Sequence, residues 1–360
     1  MKRGIIVQHK KKTIVVLFGG QSSEHKVSCV SATTIMNYID ADKYCIVPVG
    51  ITKKGQWLLY NGPLEYILTG EWEKYGTPTI LSPDATQKGL IKIMGEKVKI
   101  IPIDIVFPVL HGLYGEDGSI QGLLELAQIP YVGCGILSSS VSMDKIYTKI
   151  IVDREGIDQA HFVKVLRKEL STMDSVVERI EKNISYPCFI KPSNAGSSVG
   201  ITKAYDRVSL EKGLLEAAKQ DRKILVEETI VGREVECAVL GNDHAKASAV
   251  GEIITDADFY DYEAKYHSET SKTIIPADLP KKIVEEIQDK ALRVFKSVDG
   301  RGLARVDFFV EKDTNRVIFN EINTLPGFTS ISMYPMLWEE QGIDKKTLVE
   351  QLIQFAMDQE

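Results

Sequence analysis

Arg305, Asp307, Glu321 and Asn323 have the residue types and spacing that could hold a divalent cation. Two runs of β-forming residues, 303–310 and 316–322, flank a polar turn of Asp313, Thr314 and Asn315, which is a hairpin pattern. Side chains two apart on a strand share a face, so Arg305 points with Asp307 and Glu321 with Asn323. A turn centred on Thr314 then sets Asp307 opposite Glu321 and Arg305 opposite Asn323. Carboxylates facing each other across a strand pair repel, and burying them without a partner is costly. A hard cation that prefers oxygen resolves the conflict, and Mg²⁺ carrying nucleotide phosphates is the commonest such ion. The plainer alternative is a solvated face whose charges pair with nearby lysines. Phe308, Val310, Ile318, Phe319 and Ile322 are too apolar for a freely exposed ribbon. A metal site is expected.

Other stretches could supply the cations and close-fitting backbone that phosphates require. The strand 188–191 ends in Lys191 and enters a loop of small residues, Asn194, Gly196, Ser197, Ser198 and Gly200, before strand 199–203. Such a loop offers N–H groups and hydroxyls without bulk, and Lys191 would neutralise phosphate charge. Taken singly, a small-residue hairpin turn explains it as well, and it is not a Walker A pattern. The strand in KILVEETI carries Glu227 and Glu228 at its end, which suits a hinge where backbone and carboxylate meet an adenine. Lys145, in SMDK, reads by default as a solvated helix lysine. Segment 255–272 is polar and aromatic; it is either a surface loop or, with Lys265 and Tyr266, a lid over phosphates. Glu24 follows the Gly19–Gly20 turn, where it either complements a helix dipole or binds a ligand's amino group at the strand–helix junction. That turn is not GxGxxG, so no dinucleotide fingerprint is read. His111, beside Glu116 and Asp117 at the end of a strand, is open between a structural and a functional role.

The elements that must position these groups are those of an ordinary α/β chain. The 360 residues are enough for two or three domains with a sizeable core. A formal charge of −6 argues against a nucleic-acid surface. No apolar run reaches membrane-spanning length, and the opening MKRGIIVQHKKK lacks the core of a signal peptide. Five scattered cysteines form no CxxC motif, so a reducing cytoplasm is expected. KTIVVLF and IDIVFPVL read as buried parallel strands. Residues 53–102, with their Gly, Pro and Trp, read as an irregular elaboration. Residues 281–297 form an amphipathic helix, and Asp344 caps a terminal one.

Gly-Gly-x-Ser-x-Glu, HGLYGEDG, SMDK, FIKPSNAGSSVG, VEETI with Glu234, FYDYEAKY, ARVDFF and NEINTLPGFTSIS occur in that order from Lys12 to the C-terminus. Together they resemble the D-alanine–D-alanine ligases of the ATP-grasp superfamily. The resemblance implies an α/β fold, α+β in parts, whose N-terminal domain (1–135) is a doubly wound parallel sheet. A central subdomain (136–224) and a C-terminal one (225–360) would grip ATP between them. It implies that Lys145, Lys191, Ser198 and Lys265 bind phosphates, that Glu227, Glu228 and the backbone through Ile230 hold adenine, and that Glu234 holds the ribose. Asp307, Glu321 and Asn323 would ligate two Mg²⁺, with Mn²⁺ as an alternative ion. Glu24 would bind the first D-alanine's ammonium and link to Ser197 and Tyr266. Arg305 and the Gly327 N–H would stabilise the oxyanion, while Val27, His111, Ser332 and Met333 would contact substrate. The implied partners are ATP, D-alanine and a second copy of the chain, without nucleic acid or membrane. D-serine or D-lactate as second substrate is the runner-up, followed by another ATP-grasp carboxylate–amine ligase and by a nucleotide sensor without turnover.

Overall fold

The computed structural model describes residues 11–196, 198–254 and 272–358. The first sheet is built around β1 (Lys12–Gly19), whose last six residues are buried, as a strand covered on both faces must be. β1 pairs in parallel with β2 (Tyr44–Ile51) on one side and with β7 (Ile105–Pro108) on the other. Helix α1 (His25–Tyr38) makes the β1–β2 crossover. Gly19, at φ +87, sits where a Cβ would lie 2.3 Å from the Ile51 carbonyl oxygen. Only glycine makes that turn, which delivers Glu24 to the head of α1.

The irregular elaboration expected over 53–102 is not what forms. That stretch holds β3 (Trp57–Leu59), a short α2 (Glu65–Thr69), β4 (Thr77–Leu81), β5 (Gly89–Met94) and β6 (Lys97–Pro102). These strands extend the sheet antiparallel, in the order β6-β5-β4-β3-β2-β1-β7. The strands are short and β6 is largely exposed, so no continuous apolar run marks them in the sequence. What anchors the extension is Trp72, fully buried edge-on to Phe18 with ring centroids 4.8 Å apart. The parallel arrangement expected of this domain is thus confined to β2, β1 and β7.

After α3 (Ser119–Ala127), α4 (Ile136–Met143) and α5 (Lys145–Arg154), a second sheet forms. It contains β8 (Phe162–Leu166), β9 (Cys188–Pro192), β10 (Thr202–Ala204) and β11 (Lys223–Glu228), in the order β10-β9-β11-β8. Helices α6 (Met173–Glu181) and α7 (Arg207–Gln220) pack on it. The expected boundary at 224 falls within β11, which pairs along its length with β8 and β9.

The third sheet runs β14-β13-β12-β15-β16, from β12 (Gly232–Leu240), β13 (Lys246–Ile254), β14 (Lys272–Ile274), β15 (Leu303–Glu311) and β16 (Val317–Asn323). Helix α8 (Lys281–Ser297) buries Ile287, Ala291, Val294 and Phe295 against it. Full burial of a side chain the size of Phe295 contributes about 1.5–3 kcal/mol. The chain ends in α9 (Met333–Glu340) and α10 (Lys345–Met357). Leu348, Leu352 and Ile353 of α10 return to the core of the first sheet, beside Ile14, Val16 and Ile35. The last helix therefore ties the C-terminal region to the N-terminal domain.

Candidate active site

The β15–β16 hairpin has the register expected of it. Arg305 faces Asn323 and Asp307 faces Glu321. A bulge follows, so that Phe308 pairs with Phe319 and the ladder skips Asn320. Bulges beside sites re-aim side chains, and here Asp307 and Glu321 are kept on one face at the mouth of a cavity.

Asp307, only 8% exposed, takes both nitrogens of a fork: Arg305 Nε donates to Oδ1 at 2.8 Å and Nη2 to Oδ2 at 2.7 Å. Asn323 Nδ2 donates to Oδ2 at 3.1 Å. Arg305 also reaches Glu236 Oε2, at 2.9 Å, from the neighbouring strand β12. Burial opposes the guanidinium charge, but Asp307 and Glu236 outweigh it and hold its pKa well above the usual arginine value. Lys145, the first residue of α5, places Nζ 3.4 Å from Glu321 Oε2 and 3.2 Å from the Ala195 carbonyl oxygen. Among the described residues, no group of three or more His, Cys, Asp or Glu side chains could hold a metal alone. Two carboxylates and one amide oxygen are half a coordination sphere of hard donors. That donor set fits Mg²⁺, which keeps waters and substrate phosphates as its other ligands.

Two cavities meet at this face. The larger, about 590 Å³, lies between the second and third sheets. It is lined by Lys145, Lys191, Ser198, Glu227, Glu228, Ile230, Glu234, Asp307 and Glu321, and its size suits a nucleotide. The smaller, about 170 Å³, is lined by Glu24, Val27, His111, Arg305, Asn323, Gly327, Ser332 and Met333. Lys145, Ser198, Glu236 and Glu321 line both. Among the described residues, the expected phosphate and base residues line the larger cavity with Asp307 and Glu321, and Asn323 lines the smaller one with Val27, His111, Ser332 and Met333.

Glu227 is buried, and its carboxylate is committed to two ammonium groups, Lys191 Nζ on Oε1 and Lys149 Nζ on Oε2 at 3.2 Å. Burial would raise its pKa, yet the two lysines hold it at about 2. Glu228 accepts the His161 N–H at 2.9 Å. A Cβ added to Gly112 or to Gly196 would lie 2.7 Å from Glu24 Oε2. Two glycines from different domains therefore let the chain close around that carboxylate. Ser332 Oγ accepts the Thr329 N–H at 2.9 Å, bracing the loop that carries Gly327. Ser197, Lys265 and Tyr266 lie outside the described residues.

His111 is held by the protein itself. Its ring lines the smaller cavity, but both nitrogens are engaged inside the protein, Nδ1 with the Leu325 carbonyl and Nε2 with Ser31 Oγ. Neither nitrogen is left to contact a substrate directly. Sequence reasoning passed over Lys149, Glu236 and Ser31, and noted Glu116 only as a neighbour. Lys149 had one local signal, its i+4 spacing from Lys145 on the same helix. Glu116 accepts the N–H groups of Gly112 (2.7 Å) and Leu325 (3.1 Å). Burial, reinforced by Glu24, pushes its pKa up to about 8.

Residues 13–134 match the family model described as D-ala D-ala ligase N-terminus, and 151–354 match that described as D-ala D-ala ligase C-terminus. A D-alanine–D-alanine ligase of Acetivibrio thermocellus is 55% identical, covering 96% of this chain and 96% of its own. One from Caldicellulosiruptor bescii is 53% identical over 97% and 96%. The crystal structure of VanG D-Ala:D-Ser ligase from Enterococcus faecalis is similar at a TM-score of 0.88 and 40% identity, covering 96% of this chain and all of that one. The D-alanine–D-alanine ligase from Coxiella burnetii is similar at 0.81 and 36% identity, over 97% and 96%.

Proposed function

The chain belongs to the D-alanine–D-alanine ligase family, and from that membership we propose how its residues divide an ATP-dependent joining of two D-alanines. The product, D-alanyl-D-alanine, serves peptidoglycan precursor synthesis. One observation carries the division of labour. Arg305 and Gly327 line a small cavity that shares Lys145 and Glu321 with a nucleotide-sized one.

A carboxylate is a poor electrophile, so the first D-alanine is phosphorylated by ATP to an acyl phosphate. Glu24 holds its ammonium group, with Ser197 and Tyr266 as partners. Lys145, Lys191, Ser198 and Lys265 bind the phosphates; Glu227, Glu228 and Ile230 hold the adenine, and Glu234 the ribose. Asp307, Glu321 and Asn323 would hold two Mg²⁺ ions, with Mn²⁺ as an alternative. The metal, when bound, offsets the charge on the transferring phosphoryl group. The amine of the second D-alanine then attacks the acyl carbon and phosphate leaves. Arg305 and the Gly327 N–H receive the oxyanion, a task for donors fixed in advance. Their cavity is small and lined by Val27, Ser332 and Met333, which supports exclusion of water from the acyl phosphate.

The chain acts in the cytoplasm as a homodimer, without nucleic acid or membrane. No described helix is long and apolar enough to cross a membrane, and the formal net charge is −6. The similarity to a D-Ala:D-Ser ligase keeps D-serine in view as second substrate. The deciding experiment is ATP-dependent phosphate release with purified protein and Mg²⁺. D-alanine is offered alone, then with D-serine or D-lactate, and products are read by mass. A D-Ala-D-Ala product from D-alanine alone is expected. A mixed product formed in preference would transfer the assignment to the D-serine or D-lactate reading, and no release would refute it.

A further inference from the structure

Of the four lysines that line the nucleotide cavity, Lys145, Lys149 and Lys191 stand at different depths. The side chains of Lys145 and Lys191 are 17% and 13% exposed, whereas that of Lys149 is 3% exposed. Lys145 and Lys149 are one turn apart on α5 and both line the cavity. Lys145 reaches Glu321 at the metal face, and Lys149 reaches Glu227 at the base end. Lys149 Nζ also lies 5.7 Å from the centre of the Phe162 ring. Its backbone carbonyl accepts Gln159 Nε2 at 2.8 Å, which pins the helix at this point.

A single buried carboxylate thus has two ammonium partners. One would suffice to neutralise it, and a second buried lysine is a cost unless it has a task. Resting on the nucleotide reading above, we propose that Lys149 is a positioning residue that keeps Glu227 charged and oriented, so that Lys191 can leave Glu227 for the nucleotide phosphates. If Lys191 were the sole partner, its departure would strand a buried carboxylate, and the carboxylate would hold it back. With Lys149 in place, Lys191 exchanges one anion for another, while Glu227 keeps a charge partner and a fixed rotamer at the base. Lys149 is too deeply sealed to follow it. Lys191 is the more exposed of the two, on β9 beside the phosphate loop.

The test is a double-mutant cycle with Lys149→Met and Glu227→Gln, read by calorimetric binding of ADP with Mg²⁺ and by the KM values for ATP and D-alanine. Lys149→Met should weaken ADP binding and raise the KM for ATP about tenfold or more, with the KM for D-alanine unchanged. Lys149→Arg should retain binding close to wild type. In a Glu227→Gln background the carboxylate no longer retains Lys191, so adding Lys149→Met should cost little or nothing further. An unchanged ADP affinity in Lys149→Met would overturn the proposal, as would an equal loss in both backgrounds. If Lys149→Met does not fold, comparison of Glu227→Gln with the double variant decides alone. ADP binding is read without D-alanine turnover. A wild-type protein that binds ADP but makes no dipeptide therefore refutes the ligase reading and leaves this one standing.

Discussion

His111 Nδ1 lies 3.0 Å from the carbonyl oxygen of Leu325, 214 residues further along the chain. A carbonyl only accepts, so Nδ1 carries the proton and Nε2 accepts from Ser31 Oγ at 3.1 Å. The Ser31 oxygen in turn accepts the N–H of Phe328 at 3.1 Å. Burial lowers the His111 pKa against the pull of Glu24, which keeps this neutral tautomer. With Glu116 on the Leu325 N–H, the N-terminal domain holds the loop on both sides of Gly327. His111→Ala should therefore lower kcat about tenfold or more by letting the oxyanion donor drift, with little change in the KM for ATP. Steady-state kinetics against each substrate would check this; a change confined to the KM for ATP would contradict it.

Glu116 carries a pH prediction whose sign follows from its raised pKa. The folded value of about 8 lies above the usual 4.5, because burial and Glu24 disfavour the charged form. The folded state thus binds the proton more tightly than the unfolded state. Its stabilising contribution is complete below pH 4.5 and is lost as pH rises through 8. Thermal melting of wild type should show this downward slope across that window, and Glu116→Gln should flatten it. Parallel slopes would refute the assignment.

Arg305→Ala should cut dipeptide formation by about 10²–10³-fold, the usual cost of one oxyanion donor, with ADP binding nearly intact. It also removes the 2.9 Å ion pair between Arg305 and buried Glu236, so a loss of about 1–3 kcal/mol in stability is expected. Comparable losses of turnover and ADP binding would rule out the oxyanion role.

Asp307→Asn keeps the shape of the side chain and removes its charge from the face shared with Glu321. The Mg²⁺ concentration for half-maximal turnover should rise about tenfold or more. A titration curve that superimposes on wild type would exclude Asp307 as a ligand.

The sequence by itself determined the hairpin. Alternation along β15 and β16, with the turn between them, places Asp307 against Glu321, because pairing across a tight turn depends on residues within about twenty positions of one another. The order of eight short motifs carried the family for a related reason: each is a short local run, legible without knowing what it meets in the fold. What only the tertiary structure decided are pairings between distant elements. Lys149 meets Glu227 only because α5 packs beside the second sheet, and no periodicity separates that lysine from a solvated one. His111 proved to hold Leu325 because α10 and the 324–329 loop fold back onto the first sheet. The antiparallel extension β3–β6 was illegible because its short, half-exposed strands take their order from neighbours and from Trp72, not from a run of their own. Local spacing sets which side chains share a face. Which face meets another is settled by burial across the whole chain.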